Sequence, residues 1–489
     1  MRYDLIIRNA TLIDGTRAPR FPADIGIRDG RIERVGHLEK DGADAEIDAT
    51  GLIAAPGFID AHTHDDRLML SAPEMAPKVS QGVTTVVAGN CGVSLAPTPR
   101  RMAVPVTPPI DLLDVEGDWF RFKTFADYVE ALNDKPAATN CALLVGHSML
   151  RVQTMADLDK PASPSEIAQM RKLVDESLAA GAIGVSTGLY YEPARAAPTE
   201  EVIEVCRPLT ARKGIYCTHM RDEGDRVVDS LEETFRIGRE LGVPVVVSHH
   251  KVVGTPNHGR SAETLPIIEK AMRSQRIGLD CYPYCASSTI LSFGRTLTST
   301  RTLVTWSQPH PEFSGMELTS VASRMGVPVE EAVSRLVPAG AIYFSMDEKD
   351  VQRILGFEQT MIGSDGLPHD AAPHPRLWGT FPRVLGHYAR DLGLFSLEIA
   401  VHKMTGLTAK TFGLADRGIL KEGFAADVTL FDAASVGEAA TFEKSIQPAR
   451  GIEAVLVNGK PVWRDGKPTG ERPGKVLRRN RARTSEAIP

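Results

Sequence analysis

The chain has 489 residues, with 56 Lys and Arg against 62 Asp and Glu, a formal net charge of −6. At 42% hydrophobic and 24% charged residues it reads as a globular protein of about three domains, or one large barrel with additions. Mild acidity argues against general nucleic-acid binding, and no apolar run approaches the ~18 residues of a membrane span. Neither nucleic acid nor a membrane is expected as a partner.

Met1 to Gly15 alternates as a strand and lacks the long apolar stretch of a secretion signal. Six cysteines are scattered without a Cys-x-x-Cys pair. Reduced thiols and a cytoplasmic location are the expectation. Short strands at Leu5–Ile7, Ile25–Ile27 and Arg31–Val35 follow, with Asp29-Gly30 as a hairpin turn.

From Gly57 the pattern changes to short apolar strands alternating with amphipathic helices. The strands are Gly57–Ala61, Thr84–Ala88, Ala142–Val145, Ile183–Ser186, Ile215–Thr218, Val245–Ser248, Ile277–Cys281 and Thr360–Gly363. Helices are expected over Ser165–Ala180, Thr199–Arg212 and Ser261–Ser274. This predicts an α/β fold, a closed (β/α)₈ TIM-like barrel, with an open doubly wound sheet as the alternative. The stretch between the last two strands is too long for a loop and reads as an insertion at about 285–345, with Met316–Leu336 helical. Strands return at Ala426–Phe431 and Ile452–Val457, closed by an Asn458-Gly459 turn. The two termini therefore build one small β-sandwich domain from 1–55 and 413–480, flanking a barrel over 56–412. Residues 481–489 are left as a tail. The basic residues Lys475, Arg478, Arg479, Arg481 and Arg483 read as solvated terminal charges.

Several strand ends carry metal-binding side chains. His62 and His64 sit two apart, so both face one way. Cys91, His219, His249 and Asp365 follow strands two, five, six and eight. In a barrel these ends converge on one mouth. Nitrogen and sulfur donors favour zinc. On the sixth strand His249 competes with His250, and His249 is preferred as the first residue past the strand. His147, also at a strand end, reads as a support rather than a ligand. His369 and His374 lie in a Pro-rich loop that could line the mouth.

In this order the residues resemble the amidohydrolase superfamily, through Ala55-Pro56-Gly57-Phe58-Ile59-Asp60-Ala61-His62-Thr63-His64 and Gly418-x-Leu420-x-x-Gly423-x-x-Ala426-Asp427. Within it the chain is similar to the N-acyl-D-amino-acid deacylases. The matches are Gly89-Asn90-Cys91-Gly92, Thr187-Gly188-Leu189-Tyr190-Tyr191, Thr218-His219-Met220-Arg221, Ser248-His249-His250-Lys251 and Gly363-Ser364-Asp365-Gly366. The resemblance implies a tight zinc site of Cys91, His219 and His249, and a second, weaker one of His62 and His64 bridged by Cys91. It implies Asp365 as general acid and base. Lys251, Tyr191, Tyr282, Ser288 and Arg376 would line the substrate pocket. The fourth strand has no Lys, which counts against a cyclic-imide hydrolase. A metal-free scaffold is disfavoured because every expected ligand is present. Arg295 and Arg301 stand where many relatives have an apolar stretch. They point to N-acyl-D-glutamate as substrate, with N-acyl-D-aspartate or neutral N-acyl-D-amino acids such as D-Leu and D-Met as alternatives.

Overall fold

The computed structural model describes residues 2–38 and 41–479, so the expected tail at 481–489, with Arg481 and Arg483, lies outside the described residues. Eight parallel strands form one sheet in strict chain order. They are β1 (Phe58–Asp60), β2 (Val83–Ala88), β3 (Asn140–Gly146), β4 (Gly184–Gly188), β5 (Ile215–His219), β6 (Val245–Val247), β7 (Ile277–Cys281) and β8 (Thr360–Ile362). A doubly wound sheet would reverse its order at a switch point; here the order never reverses. The last strand returns to the first instead. Ala61 N–H donates to Ile362 O at 3.1 Å, and Thr63 bridges Gly366 in parallel.

Both faces of these strands are buried, which explains their near-continuous apolar sequence. Ala142 and Leu144 of β3 share a cluster with Ile59, Val87, Ile183, Ile215, Val246 and Met361. Residues from that many strands meet only inside a barrel. Leu143 and Val145 point the other way, into the larger cluster shared with the helices.

The helices differ from expectation at their ends. The helix Pro164–Ala180 is capped by Ser163, not Ser165, in a reciprocal box with Glu166. Pro164 suits the first helical position because its missing N–H has no partner there anyway. The expected Thr199–Arg212 helix is two pieces, Thr199–Cys206 and Pro208–Arg212. Pro208 cannot supply the amide that would continue the first piece. The third runs Ser261–Met272.

Strands from both termini form one nine-stranded sheet, joined where Ile53–Pro56 runs antiparallel to Val428–Phe431. Ile7, Ile25, Ile47, Val428 and Leu456 share its core. Both predicted hairpins have the paired positive φ of a type I′ turn: Asp29 (50°) with Gly30 (72°), and Asn458 (48°) with Gly459 (80°). The stretch after β7 holds a three-stranded antiparallel sheet, Ala286–Ile290, Thr302–Ser307 and Ala339–Phe344. Its helical part is again two helices, Leu318–Met325 and Val329–Leu336, parted by Gly326 and Pro328.

The described basic residues near the C-terminus are not all solvated. Arg479 donates to Lys213 O and Thr411 O at 3.2 Å each, and the chain at 475–477 hydrogen-bonds with Cys141 at the start of β3.

Candidate active site

The barrel brings all six expected donors to one end. Ligand atoms of Cys91, His219 and His249 lie within 4.8 Å of one another, and so do those of His62, His64, Cys91 and Asp365. The Cys91 sulfur is the shared corner. It lies 3.2 Å from His62 Nε2 and 3.3 Å from His249 Nε2. Asp365 Oδ1 stands 3.2 Å from His64 Nε2 and 3.5 Å from His62 Nε2.

Three of these residues occupy the left-handed backbone region: Cys91 (φ 54°), His249 (36°) and Asp365 (50°). Such conformations persist only where the surroundings enforce them, and they gather at functional sites. For Cys91 the enforcement is visible. Asn90 donates its side-chain amide to Val87 O at 2.9 Å, and Gly92 N–H donates to Ser186 Oγ at 2.9 Å. Gly92 itself must be glycine: a Cβ there would lie 2.6 Å from Ser148 Oγ and 2.9 Å from the Gly188 nitrogen. For His249, the backbone N–H donates to Asp280 Oδ1 at 3.0 Å. For Asp365, the backbone N–H donates to His62 O at 2.8 Å, so β8 and β1 position each other's side chains.

The electrostatics follow from dense packing of buried charge. Burial opposes ionisation of the Cys91 thiol, yet the imidazoles of His62 and His249 hold it well below its usual value. Asp365 behaves alike: burial works against the carboxylate, but Arg376, with Nη1 3.0 Å from Oδ2, and His249 keep it well below the usual range. His64, despite burial, is raised to about 9 by Asp365 and Cys91. His219 has no hydrogen-bond partner on either ring nitrogen, and the Nδ1 atoms of His62 and His64 are likewise unpartnered.

A cavity of about 410 Å³ opens over these donors. Tyr191, Lys251, Tyr282, Ser288 and Arg295 line it together with His64, Cys91, His219, His249 and Asp365. Arg376 sits behind this wall, fully buried, its guanidinium 4.5 Å from the Tyr282 ring centre and donating to Ser288 O at 3.2 Å. The structure does not bring Arg301 to the cavity. Its side chain is 40% exposed, pairs with Glu317 at 3.4 Å and lies over Phe344. His250 turns away to Thr264 Oγ1 at 2.9 Å. His147 faces Glu201 at 3.7 Å and does not line the cavity. His374 donates to Ala286 O at 3.0 Å and accepts from Arg376 N–H at 2.9 Å, and neither it nor His369 lines the cavity.

Three buried acids escaped the sequence reading. Glu223 lines the cavity, 2.6 Å from Lys251 Nζ and 3.0 Å from His249 Nδ1. Burial opposes its charge, but Lys251, His219 and His249 hold it well below the usual range. Asp280, at the end of β7, receives the His249 amide and lies 3.6 Å from His62 Nδ1. Asp60 ends β1 and accepts from the Ser364 amide at 2.8 Å. Only Asp280 and Asp60, at strand ends, had a positional signal.

The chain matches the family described as "Amidohydrolase family" over residues 45–275 and 333–463. It is 59% identical to a D-aminoacylase of Alcaligenes xylosoxydans xylosoxydans over 98% of both chains. It is 53% identical to an N-acyl-D-aspartate deacylase of the same organism, over 97% of this chain and 95% of that one. A crystal structure of the N-acyl-D-glutamate deacylase from Bordetella bronchiseptica, complexed with zinc and a phosphonate inhibitor that mimics the tetrahedral intermediate, superposes with a TM-score of 0.94. That protein is 44% identical, and the match covers 98% of this chain and 100% of the other. Barrel, donor cluster and full-length likeness agree: the chain belongs to the amidohydrolase family, in the group of D-aminoacylases and N-acyl-D-amino-acid deacylases.

Proposed function

We propose that this protein uses zinc to hydrolyse the amide bond of N-acyl-D-amino acids, giving a carboxylate and the free D-amino acid. One observation carries the reading. Asp365 and the Cys91–His219–His249 cluster face a single cavity, and that cavity also holds Arg295, a half-buried cation with no carboxylate in pairing distance among the described residues. The D configuration rests on the likeness to the relatives named above.

The residues fit zinc. Two unpartnered ring nitrogens on a buried histidine are costly. A metal held by Cys91, His219 and His249 would take one of the two as a ligand and so remove part of that cost. One thiolate with two imidazoles suits zinc and leaves a coordination position open. His62 and His64, sharing Cys91, would form a second and weaker site. Zinc held there would supply Lewis acidity, acidifying a water and polarising the acyl carbonyl.

The chain's own residues do the rest. Asp365 accepts the water's proton and delivers it to the leaving nitrogen, since an amide nitrogen departs only when protonated. Arg376 fixes the carboxylate and keeps it ionised between turnovers. Arg295 receives the substrate's carboxylate.

Charge counting then bears on the side chain. Lys251 is already paired with Glu223, Arg376 with Asp365, and Arg301 lies elsewhere with Glu317. Arg295 alone remains, enough for one carboxylate, and every N-acylamino acid carries one at Cα. The rest of the wall includes Val93, Pro109, Leu112 and Leu367. We therefore assign an apolar side chain such as D-leucine or D-methionine. N-acyl-D-glutamate is the second reading, favoured by Arg295 itself if Lys251 takes the α-carboxylate; N-acyl-D-aspartate stands with it.

The test is kcat/KM of the zinc-loaded protein on N-acetyl-D-Leu, N-acetyl-D-Glu, N-acetyl-D-Asp and N-acetyl-L-Leu. A lead for D-Leu of tenfold, ~1.4 kcal/mol in barrier, supports the assignment. A lead for D-Glu or D-Asp gives Arg295 to the side chain. Turnover of none overturns the reaction class.

A further inference from the structure

Glu223 was not part of any expected motif, yet it touches both histidines of the thiolate cluster. It lies on the loop after β5, where its carbonyl accepts from Val253 N–H at 2.9 Å, tying that loop to the one after β6. Its side chain is 2% exposed. Oε1 is 3.0 Å from His249 Nδ1 and 2.6 Å from Lys251 Nζ. Oε2 has no hydrogen-bond partner and faces His219 Nε2 at 3.6 Å.

Proton bookkeeping at His249 makes this arrangement consequential. Lys251 Nζ also lies 2.8 Å from His249 Nδ1. An ammonium only donates. Nδ1 therefore has two exclusive options. It accepts from Lys251, in which case the ring proton sits on Nε2 and points at the Cys91 sulfur, 3.3 Å away. Or it donates to Glu223, which in the neutral ring leaves the Nε2 lone pair aimed at the cluster. Only the second arrangement makes His249 a metal ligand. Glu223 can impose it, because Oε1 accepts from Nδ1–H and from Lys251 together. Lys251 keeps a donor on His249 O at 3.1 Å, and its third N–H is free for the cavity it lines.

We infer that Glu223 is a positioning residue. Through its contact with Nδ1 it sets the tautomer and orientation of His249, so that the Cys91–His219–His249 cluster binds zinc, and it holds Lys251 at the cavity wall. The inference rests on the zinc site proposed above and adds to it the residue that prepares one of its ligands.

Two double variants isolate the contact: Glu223→Gln with Lys251→Met, and Glu223→Leu with Lys251→Met. Both replace the charged pair by a neutral one of similar size. They differ in one respect, an acceptor for Nδ1–H. The measurement is zinc affinity of the full chain by competition with a chromophoric chelator, with a thermal melt of each apo variant as a check on folding. The Gln variant should bind zinc close to wild type. The Leu variant should bind about 10- to 100-fold more weakly, the usual cost of losing a carboxylate or carbonyl behind a ligating histidine. Equal affinities for the two would overturn the role of Glu223 and leave the proposed function standing. A wild-type chain that binds no zinc would overturn the zinc site, and the inference with it. Should Glu223→Leu prevent folding, single Glu223→Gln is measured by histidine ¹⁵N NMR without metal, beside the metal-free wild-type protein. Nδ1–H on His249 in wild type that is lost or diminished in Glu223→Gln supports the role, and a bare Nδ1 in metal-free wild type refutes it.

Discussion

The guanidinium of Arg295 lies 4.2 Å from the ring centre of Tyr190 and donates from Nε to that residue's hydroxyl at 2.9 Å. The stack and the Nε bond fix the head group from one side and leave its other N–H groups for the cavity. Arg295→Met should therefore lower kcat/KM by about 10- to 100-fold, the worth of a charge-assisted bond, and should do so for N-acetyl-D-Leu as well as N-acetyl-D-Glu. Loss confined to the acidic substrates would transfer Arg295 from the α-carboxylate to the side chain. Tyr190→Phe keeps the stack and removes one neutral partner, so about a fivefold effect is expected.

Asp365 is held ionised by Arg376 at 3.0 Å and stands at the cavity wall beside His64. Asp365→Asn should retain zinc at the Cys91 site while kcat falls about 10²- to 10⁴-fold, the usual range for a general acid–base residue. Metal content and steady-state kinetics on one preparation check both halves. Near-normal kcat would remove Asp365 from the mechanism.

Asp111 and Asp370 form a second pair of buried acids, on the loops that follow β2 and β8. Burial pushes Asp370 up to about 7, and burial together with the Asp370 charge pushes Asp111 to about 7. Free carboxyls titrate near ~3.9. Between that pH and about 7 the native state holds protons that the unfolded chain has released, so this contribution to stability is complete below ~4 and is lost as pH rises through about 7. The slope is about 1.4 kcal/mol per pH unit for each carboxyl fully different in protonation. Melting temperature should fall between about pH 4 and 7, and Asp370→Asn should flatten that fall. Parallel curves for the two proteins would remove the pair as its source.

Lys78 lies with no solvent contact between Asp60 Oδ2 at 2.9 Å, Asp65 at 3.3 Å and Ser364 Oγ at 2.8 Å. Lys78→Met strands two buried carboxylates, which costs about 3–5 kcal/mol. Asp60 also receives the amides of Ser364 and His62 at 2.8 and 3.3 Å, so occupancy at His62 and His64 should drop too. Urea midpoints and zinc equivalents per chain are the measurements, and an unchanged midpoint would count against the ion cluster as a stabilising element.

The eight strands were legible because a barrel strand buried on both faces tends to be a short apolar run, and most of the eight fall on one, β4 (Gly184–Gly188) being the small and polar exception. Their sequential ends then placed Cys91, His219, His249 and Asp365 at one mouth. His249, preferred over His250 as the first residue past the expected strand, turns its ring to Cys91, and His250 turns its ring to Thr264. What depended on loop paths stayed hidden. Arg295 and Arg301 are equivalent in sequence, and only the insertion's own sheet separates them, placing one at the cavity and the other beside Glu317. Glu223 belongs to an irregular loop whose composition carries no period. Asp111 and Asp370 meet through two loops whose meeting no local pattern records.

The bond from Asp365 N–H to His62 O has a bearing on how the protein comes into being. A ribosome delivers the thiolate and the four histidines of the cluster well before β8 emerges, and until β8 docks nothing holds Asp365 against His62. A nascent chain, or one cut within the insertion, therefore holds Cys91 and the four histidines without Asp365 placed among them. The full set of six side chains is assembled only when the ring of strands closes.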